Sequence, residues 1–367
     1  MTFPIPTICC GTRFGKAYLE GIRRSSDFVL SGILARGSIR SKEMALKYGV
    51  PLYTSVDQIP QNIKAACVVI RSSFVGGAGT EIALSLLRRG IHVIQEHPIH
   101  PRELILCQNT AKENECVYIF NTHHVYLSHV QKFIKIIHGI IEEQNINFIH
   151  GVCGVQVVCS LLDIIGGILN KVTPYEFEEY KYISQNILKK YGAKVFPYEI
   201  IRGYVANIPT ILEIQNYYDA SDPDNNASIL HRLTVGFPSG NLTLMSAAGP
   251  IIWFDRLHFP DDIFNIEGLK NSTISSYKIF SKHNGVSLER LVGHEWPQAV
   301  EYALRKFYLL IEGKASLSEQ NFYSQTVCNL WIDIMQRLGA PQLVSLTPPP
   351  TNIPKVLLEY PETLQLY

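Results

Sequence analysis

The sequence predicts an α/β protein: a parallel, doubly wound sheet in the first third, then an α+β domain with an open, mostly antiparallel sheet. Three observations predict it. Short apolar runs alternate with helical stretches from Ile5 to Phe120. Glycine-rich turns follow two of those runs, at Gly11–Gly15 and Gly76–Thr80. Beyond Tyr175, strand-like runs succeed one another with turns rather than helices between them. Strand–helix alternation implies parallel βαβ crossovers, and strands without intervening helices imply antiparallel pairing.

Ile5–Cys10 reads as the first strand and Lys16–Arg24 as the helix behind it, with Tyr18 and Ile22 at helical spacing. Phe28–Ala35, Ala66–Ile70, Ile91–Gln95 and Val117–Phe120 read as further strands, and Lys42–Tyr48, Glu81–Arg89 and Pro101–Asn114 as helices. The alternation stops at Asn121-Thr122. That places a cofactor domain at residues 1–121 and an α+β substrate and dimerisation domain at 122–367, with a cleft between them. In the second domain, Ser128–Glu142 carries Val130, Phe133, Ile134, Ile137 and Ile141 on one helical face. Phe148–Val152 reads as a strand, and Val155–Leu169 as an apolar helix whose end is marked by Gly166-Gly167. Ala193–Ile200, Tyr204–Gln215, His231–Gly236, Leu242–Ala247 and Ile251–Phe254 read as strands. Turn signals at Asp222–Asn226 and Pro238–Asn241 separate them. Pro297–Glu312 and Ser318–Leu338 read as helices, and Thr347–Pro350 breaks the chain.

At 367 residues the chain suits two domains and a large core. A net charge of +1, with 18% charged residues, leaves no electrostatic case for a nucleic-acid or acidic-membrane partner. No apolar run reaches the ~18 residues that span a bilayer. Met1–Thr7 lacks the basic segment of a signal peptide. The eight cysteines are scattered without metal-ligand spacing and read as reduced, buried thiols, so a cytoplasmic location is expected.

The first glycine turn, Gly11-Thr12-Arg13-Phe14-Gly15, sits where a dinucleotide loop would, after a strand and opening a helix, although Arg13 stands where a second glycine is usual. Gly11 permits a tight turn and Gly15 close helix packing, and free N–H groups at the helix start suit a pyrophosphate. This makes the first sheet a Rossmann sheet. The plainer reading is an ordinary strand–helix turn. The second strand ends in Ala35-Arg36-Gly37-Ser38-Ile39-Arg40-Ser41, with no acid to bond a ribose 2′-OH. Arg36, Ser38 and Arg40 suit a 2′-phosphate, which favours NADPH; a solvated basic loop is the alternative. Arg71 and Ser72, ahead of Gly77, are expected to line the cofactor cleft.

Catalytic candidates gather at His92–Pro101, where a short apolar strand breaks at Glu96-His97-Pro98. In open α/β sheets ligands bind at this carboxyl edge. His123-His124 follows the last strand of the sheet. Adjacent side chains point different ways and no carboxylate or cysteine cluster accompanies them, so a catalytic or substrate contact is expected rather than a metal.

These stretches resemble the Gfo/Idh/MocA oxidoreductases, which pair a Rossmann domain with an open antiparallel α+β domain. That family usually has Glu-Lys-Pro where this chain has Glu96-His97-Pro98. Its sugar-active members tend to carry an Asp and a His four apart on the first buried helix of the second domain. Here Asp163 is present, and Gly167 stands four residues on.

The chain looks more closely similar to thiazolinyl imine reductases of siderophore biosynthesis, of the yersiniabactin and pyochelin type. The resemblance rests on Gly11–Gly15, Leu34–Ser41, Gly49–Ser55, Val69–Ser72, Gly76–Thr80, His92–Pro101, Asn121-Thr122, Asp222–Asp224, His231–Leu233, Gly249–Trp253 and Leu346–Pro349. It implies an NADPH-dependent enzyme that reduces a thiazoline C=N to a thiazolidine on a nonribosomal peptide synthetase carrier domain. Glu96 and His97 would then close the nicotinamide end of the cofactor site. The relatives' candidate proton donors are the histidine matching His97 and a tyrosine shortly after the Asn-Thr pair. Here His124 fills that tyrosine's position and Tyr126 lies two further on.

The donor is therefore open between His97, His124, Tyr126 and water. A homodimer through the exposed sheet face is expected from the superfamily. Two other readings remain: a dehydrogenase of the same superfamily acting on a small alcohol or ketone, and a non-catalytic NADP-binding sensor.

Overall fold

The computed structural model describes residues 3–72, 76–180, 183–257, 277–280 and 286–346. β1 (Ile5–Cys10) lies inside the first sheet, and its last four residues are buried, as a strand covered on both faces requires. β2 (Phe28–Leu34), β3 (Leu52–Tyr53), β4 (Ala65–Val68), β5 (His92–Glu96) and β6 (Tyr118–Asn121) complete it in the order β3-β2-β1-β4-β5-β6. All of these pairings are parallel. The strand order reverses between β1 and β4, so their carboxyl ends flank a crevice, the usual ligand position of such sheets.

The connecting helices are α1 (Gly15–Arg24), α2 (Ile39–Tyr48), α3 (Gly79–Leu87) and α4 (Pro101–Glu113). α2 starts three residues earlier than its apolar pattern suggests because Ser38 caps it, accepting from the Ser41 N–H at 3.3 Å.

α5 (Ser128–Ile141) leads into the second sheet. Its strands are β7 (Phe148–Gly154), β8 (Tyr175–Phe177), β9 (Glu199–Val205), β10 (Ile208–Gln215), β12 (His231–Gly236), β13 (Gly240–Leu244), β14 (Ile251–Asp255) and β15 (Lys278–Ile279). The order is β15-β14-β13-β12-β7-β10-β9-β8, antiparallel except for the β7–β10 pair. β11 (Tyr217–Tyr218) pairs with β16 (Gln342–Leu343). α6 (Val158–Leu169) covers one face of the second sheet, with Leu161 against Gly151 of β7. The other face exposes Ile200, Tyr204, Ile211 and Phe254. α7 (Gln185–Lys190), α8 (Trp296–Ile311), which a π-helical turn Leu291–Glu295 precedes, and α9 (Leu317–Leu338) follow.

Three readings of the second domain change. Gly166 and Gly167 do not end α6, which runs on to Leu169 and stops at a left-handed Asn170. A Cβ at Gly166 would overlap the Tyr323 hydroxyl, and one at Gly167 would lie 3.1 Å from Ile134, so these glycines let α9 and α5 approach. The Tyr204–Gln215 run is a hairpin, broken where Ala206 and Asn207 take φ of 50° and 67°. Residues 193–198 are irregular, and the strand begins only at Glu199. Thr347–Pro350 lies outside the described residues.

The first sheet ends at Asn121, yet the chain returns to it late. α8 packs on α1 so closely that a Cβ at Gly21 would lie 2.6 Å from Val300 Cγ1, and Phe307 stacks on Phe28 with ring centroids 5.8 Å apart. A 3₁₀ turn, His124–Tyr126, bridges the two sheets, and Tyr126 packs against both hydrophobic clusters.

Candidate active site

The dinucleotide cradle lies where β1 and β4 diverge. Gly11 has a φ of +98°, and a Cβ there would lie 2.5 Å from the Val69 carbonyl oxygen, so only glycine fits this turn. Gly15 opens α1 with its N-terminal N–H groups toward the turn. Across the crevice a Cβ at Gly77 would overlap the Arg71 backbone, and the Gly77 and Gly79 amides bond the Ser72 and Arg71 carbonyls. Ser72 is buried and donates to the Pro98 carbonyl at 2.8 Å, tying this loop to the end of β5. Arg36, Ser38 and Arg40 lie exposed past the end of β2. Tight glycine turns that let a ligand approach the backbone, and a basic loop at β2, fit a dinucleotide, and the cradle would hold its phosphates.

Arg13 and Arg71 reach across the crevice. Arg13 pairs with Asp222 at 3.7 Å and Asp224 at 3.3 Å, and Arg71 with Asp224 at 2.5 Å. Asp222 also shapes its own turn, since Asn225 Nδ2 donates to it at 2.8 Å. The two loops of the first domain are thus clamped to a turn of the second.

At the carboxyl ends of β5 and β6 lies a buried polar cluster. Glu96 accepts from the Tyr18 hydroxyl; Asn121 Nδ2 donates to Tyr18 at 2.5 Å and reaches Glu96 at 3.5 Å. Glu96 Oε1 lies 3.1 Å from His123 Nδ1 and 3.5 Å from His97 Nε2. His97, His123 and His124 have side chains or whole residues only 7%, 3% and 5% exposed. His124 sits against His123, with ring centroids 3.9 Å apart, and against His231 at 4.5 Å.

The sequence predicts that the side chains of His123 and His124 diverge; the structure brings their rings together, tilted by 38°. His123 adopts φ 38° and ψ −35°, a conformation rare outside glycine, which turns its ring onto its neighbour's. Phe14 of the glycine turn packs on His123 at 4.7 Å, and Trp296 on Phe14 at 5.3 Å, closing the cluster on one side. A cavity of about 370 Å³ lined by Arg13, Phe14, Lys16 and Trp296 lies beside this lid and contains none of these histidines.

Burial governs the electrostatics. It lowers the His97 imidazole below its ordinary value, opposed by the Glu96 carboxylate and reinforced by His123. His124 is pushed well down by burial and by the neighbouring imidazoles, and His231 down to about 3. These three rings are neutral at pH 7. Burial raises the Tyr18 and Tyr126 phenols, helped by Glu96 and Asp163 respectively, so both keep their protons.

Asp163 is engaged rather than free. Thr122 Oγ1 donates to it at 2.5 Å and Tyr323 at 2.7 Å, pinning α6 to the end of the first sheet. All eight cysteines are buried and free of disulfides.

Tyr18 is the member of the cluster that no sequence motif singled out. Tyr18 carries the one available signal, a helix residue turned toward a buried sheet, whose hydroxyl needs a partner.

With this geometry in view, two family models match. Residues 7–122 match an oxidoreductase family with an NAD-binding Rossmann fold, Gfo/Idh/MocA. Residues 144–254 match the C-terminal domain of Irp3-like thiazolinyl imine reductases. The chain joins a Gfo/Idh/MocA-type Rossmann domain to an Irp3-like C-terminal domain.

Its NAD(P)-binding Rossmann domain and antiparallel second sheet recur in solved structures. An oxidoreductase from Agrobacterium radiobacter in complex with NAD+, L-tartaric acid and magnesium aligns with a TM-score of 0.63 at 9% identity, over 89% of this chain and 94% of that one. A biliverdin reductase from Synechocystis, in complex with biliverdin and NADP+, aligns with a TM-score of 0.58 at 12% identity, over 90% and 98%. A dehydrogenase from Clostridium difficile aligns with a TM-score of 0.62 at 11% identity, over 90% and 99%. At these identities the likeness is one of fold. A comparison with curated protein sequences finds no match. No helix among the described residues is long and apolar enough to cross a membrane.

Proposed function

We propose that this Gfo/Idh/MocA oxidoreductase is an NADPH-dependent thiazolinyl imine reductase. Its substrate is a thiazoline held as a thioester on a nonribosomal peptide synthetase carrier domain during siderophore assembly, and its product is the thiazolidine. One observation carries the reading: His97 stands beside Glu96 at the carboxyl end of β5, in a chain whose second domain matches the Irp3-like model. The exposed Arg36 and Arg40, with no acid at the end of β2, support NADPH over NADH.

NADPH supplies the hydride. The protein supplies the proton and the alignment. His97 presents a ring N–H to the thiazoline nitrogen. As the adjacent carbon is reduced, that nitrogen gains electron density and takes the proton. Glu96, anchored by Tyr18, Asn121 and His123, stands beside the His97 ring and offsets its charge whenever it is protonated. Phe14 and Trp296 exclude water on one side. Asp163 cannot serve as a free acid, because Thr122 and Tyr323 already bond it; this disfavours polyol chemistry.

The apolar open face of the second sheet supports a homodimer, and the reading makes the enzyme cytoplasmic.

Loss of NADPH absorbance with a thiazoline thioester analogue, run beside NADH and a polyol panel, tests the proposal. NADPH oxidation by the thiazoline alone is expected. Turnover of a polyol instead, or of neither substrate, removes it.

A further inference from the structure

The buried histidines also have the makings of a metal site. One ring nitrogen from each of His97, His123 and His124 lies within 4.8 Å of the other two. His97 Nδ1, His123 Nε2 and His124 Nδ1 are buried, and none has a hydrogen-bond partner. A buried ring nitrogen without a partner is costly unless something binds it.

The surrounding bonds prepare these nitrogens as ligands. Glu96 lies 3.1 Å from His123 Nδ1, so Nδ1 carries the proton and Nε2 the lone pair. A carboxylate behind a ligating imidazole is the usual orienting arrangement of histidine metal sites. His124 is held in place by its backbone amide, which donates to the Thr122 carbonyl.

We propose that the apoprotein binds one divalent transition-metal ion of the zinc type through His97, His123 and His124. Three imidazoles select a borderline metal over magnesium or calcium, which prefer oxygen. Zinc holds nitrogens at about 2.0–2.1 Å, which puts tetrahedral donors about 3.4 Å apart, so the rings must close by an ångström or so. Three protein nitrogens leave a fourth position for water, as in open zinc sites. The sequence hides this site because His97 comes from the end of β5 and the other two from the turn after β6; only the parallel pairing of those strands joins them.

The binding claim does not require the reductase reading. If that reading also holds, metal and turnover exclude each other, because the ion occupies the His97 ring.

The test is titration of the cofactor-free protein with cobalt(II), followed by displacement with zinc(II). Expected are one cobalt per chain, visible absorption of a tetrahedral nitrogen site without a sulfur charge-transfer band, and three hyperfine-shifted imidazole N–H signals in the wild-type cobalt form. His123→Gln and His124→Gln each weaken binding tenfold or more. No stoichiometric binding, a sulfur band that places the ion on cysteines, or no shifted imidazole signals overturns the proposal. Stoichiometric binding by a protein whose metal-free form fails to turn over the thiazoline would instead count against the reductase reading alone.

Discussion

Glu96 Oε1 lies closer to His123, at 3.1 Å, than to His97, at 3.5 Å. The carboxylate at the end of β5 is therefore shared. It braces a histidine of the next strand's turn while leaving His97 loosely held, with its Nδ1 unpartnered. A ring held in that way can turn toward a substrate. Several outcomes depend on this division of labour.

The first concerns the proton. His97→Ala should lower turnover at saturating NADPH by roughly 10²–10⁴-fold, the usual contribution of a general acid. His124→Ala should cost less, because burial keeps that ring neutral and His123 lies between it and Glu96. If both variants keep near wild-type rates in steady-state assays, water is the donor.

The pH profile follows from the burial of His97. Its folded pKa is below the ordinary 6.5, so the imidazolium fraction is small at pH 7 and grows on acidification. Turnover should rise as pH falls below 6.5, and His97→Gln should flatten that limb. A wild-type rate independent of pH between about 5 and 7 would speak against protonation by His97.

Stability should move the other way. His231 is protonated near its ordinary 6.5 when unfolded, and only near about 3 when folded. The unfolded chain therefore binds more protons below pH 6.5. The stability from burying neutral His231 is complete above pH 6.5 and is lost as pH falls toward 3, at up to about 1.4 kcal/mol per pH unit. Denaturant unfolding of His231→Gln at several pH values should show a shallower slope than wild type; an equal slope would mean other groups carry the effect.

Arg36→Ala with Arg40→Ala should raise KM for NADPH at least tenfold and leave that for NADH nearly unchanged, since the loss of two guanidiniums is felt by a 2′-phosphate. Parallel losses for both cofactors would move these residues away from the 2′ position.

Gly166→Ala should destabilise the protein by about 1–3 kcal/mol, as overpacking usually does. The added methyl displaces Tyr323 and with it the hydrogen bond to Asp163. Thermal unfolding measures the loss; an unchanged midpoint would show that α9 yields freely.

Much of the first domain was legible because its strands are short apolar runs bounded by glycine and proline, and each helix starts close to where its pattern does. The second domain was less so. Gly166-Gly167 looked like a helix end, since a sequence shows missing side chains but not the helix that needs the space. Ala206-Asn207 carried no strong turn signal, and the hairpin it makes was read as one strand. In the site, Glu96 and His97 were visible as a strand end, and the glycine turns as a cradle. Tyr18 was not, nor were the partners of Asn121 and His123, because each acquires its role from a residue far away in the chain.

The sequence by itself determined the alternating α/β plan, the dinucleotide turns and the histidine at the end of β5, because periodicity and turn chemistry act over a few residues. The tertiary structure alone decided that His97, His123 and His124 share one buried space with Glu96 between two of them. That follows from parallel pairing of β5 with β6 and from the positive φ of His123, and local sequence constrains neither.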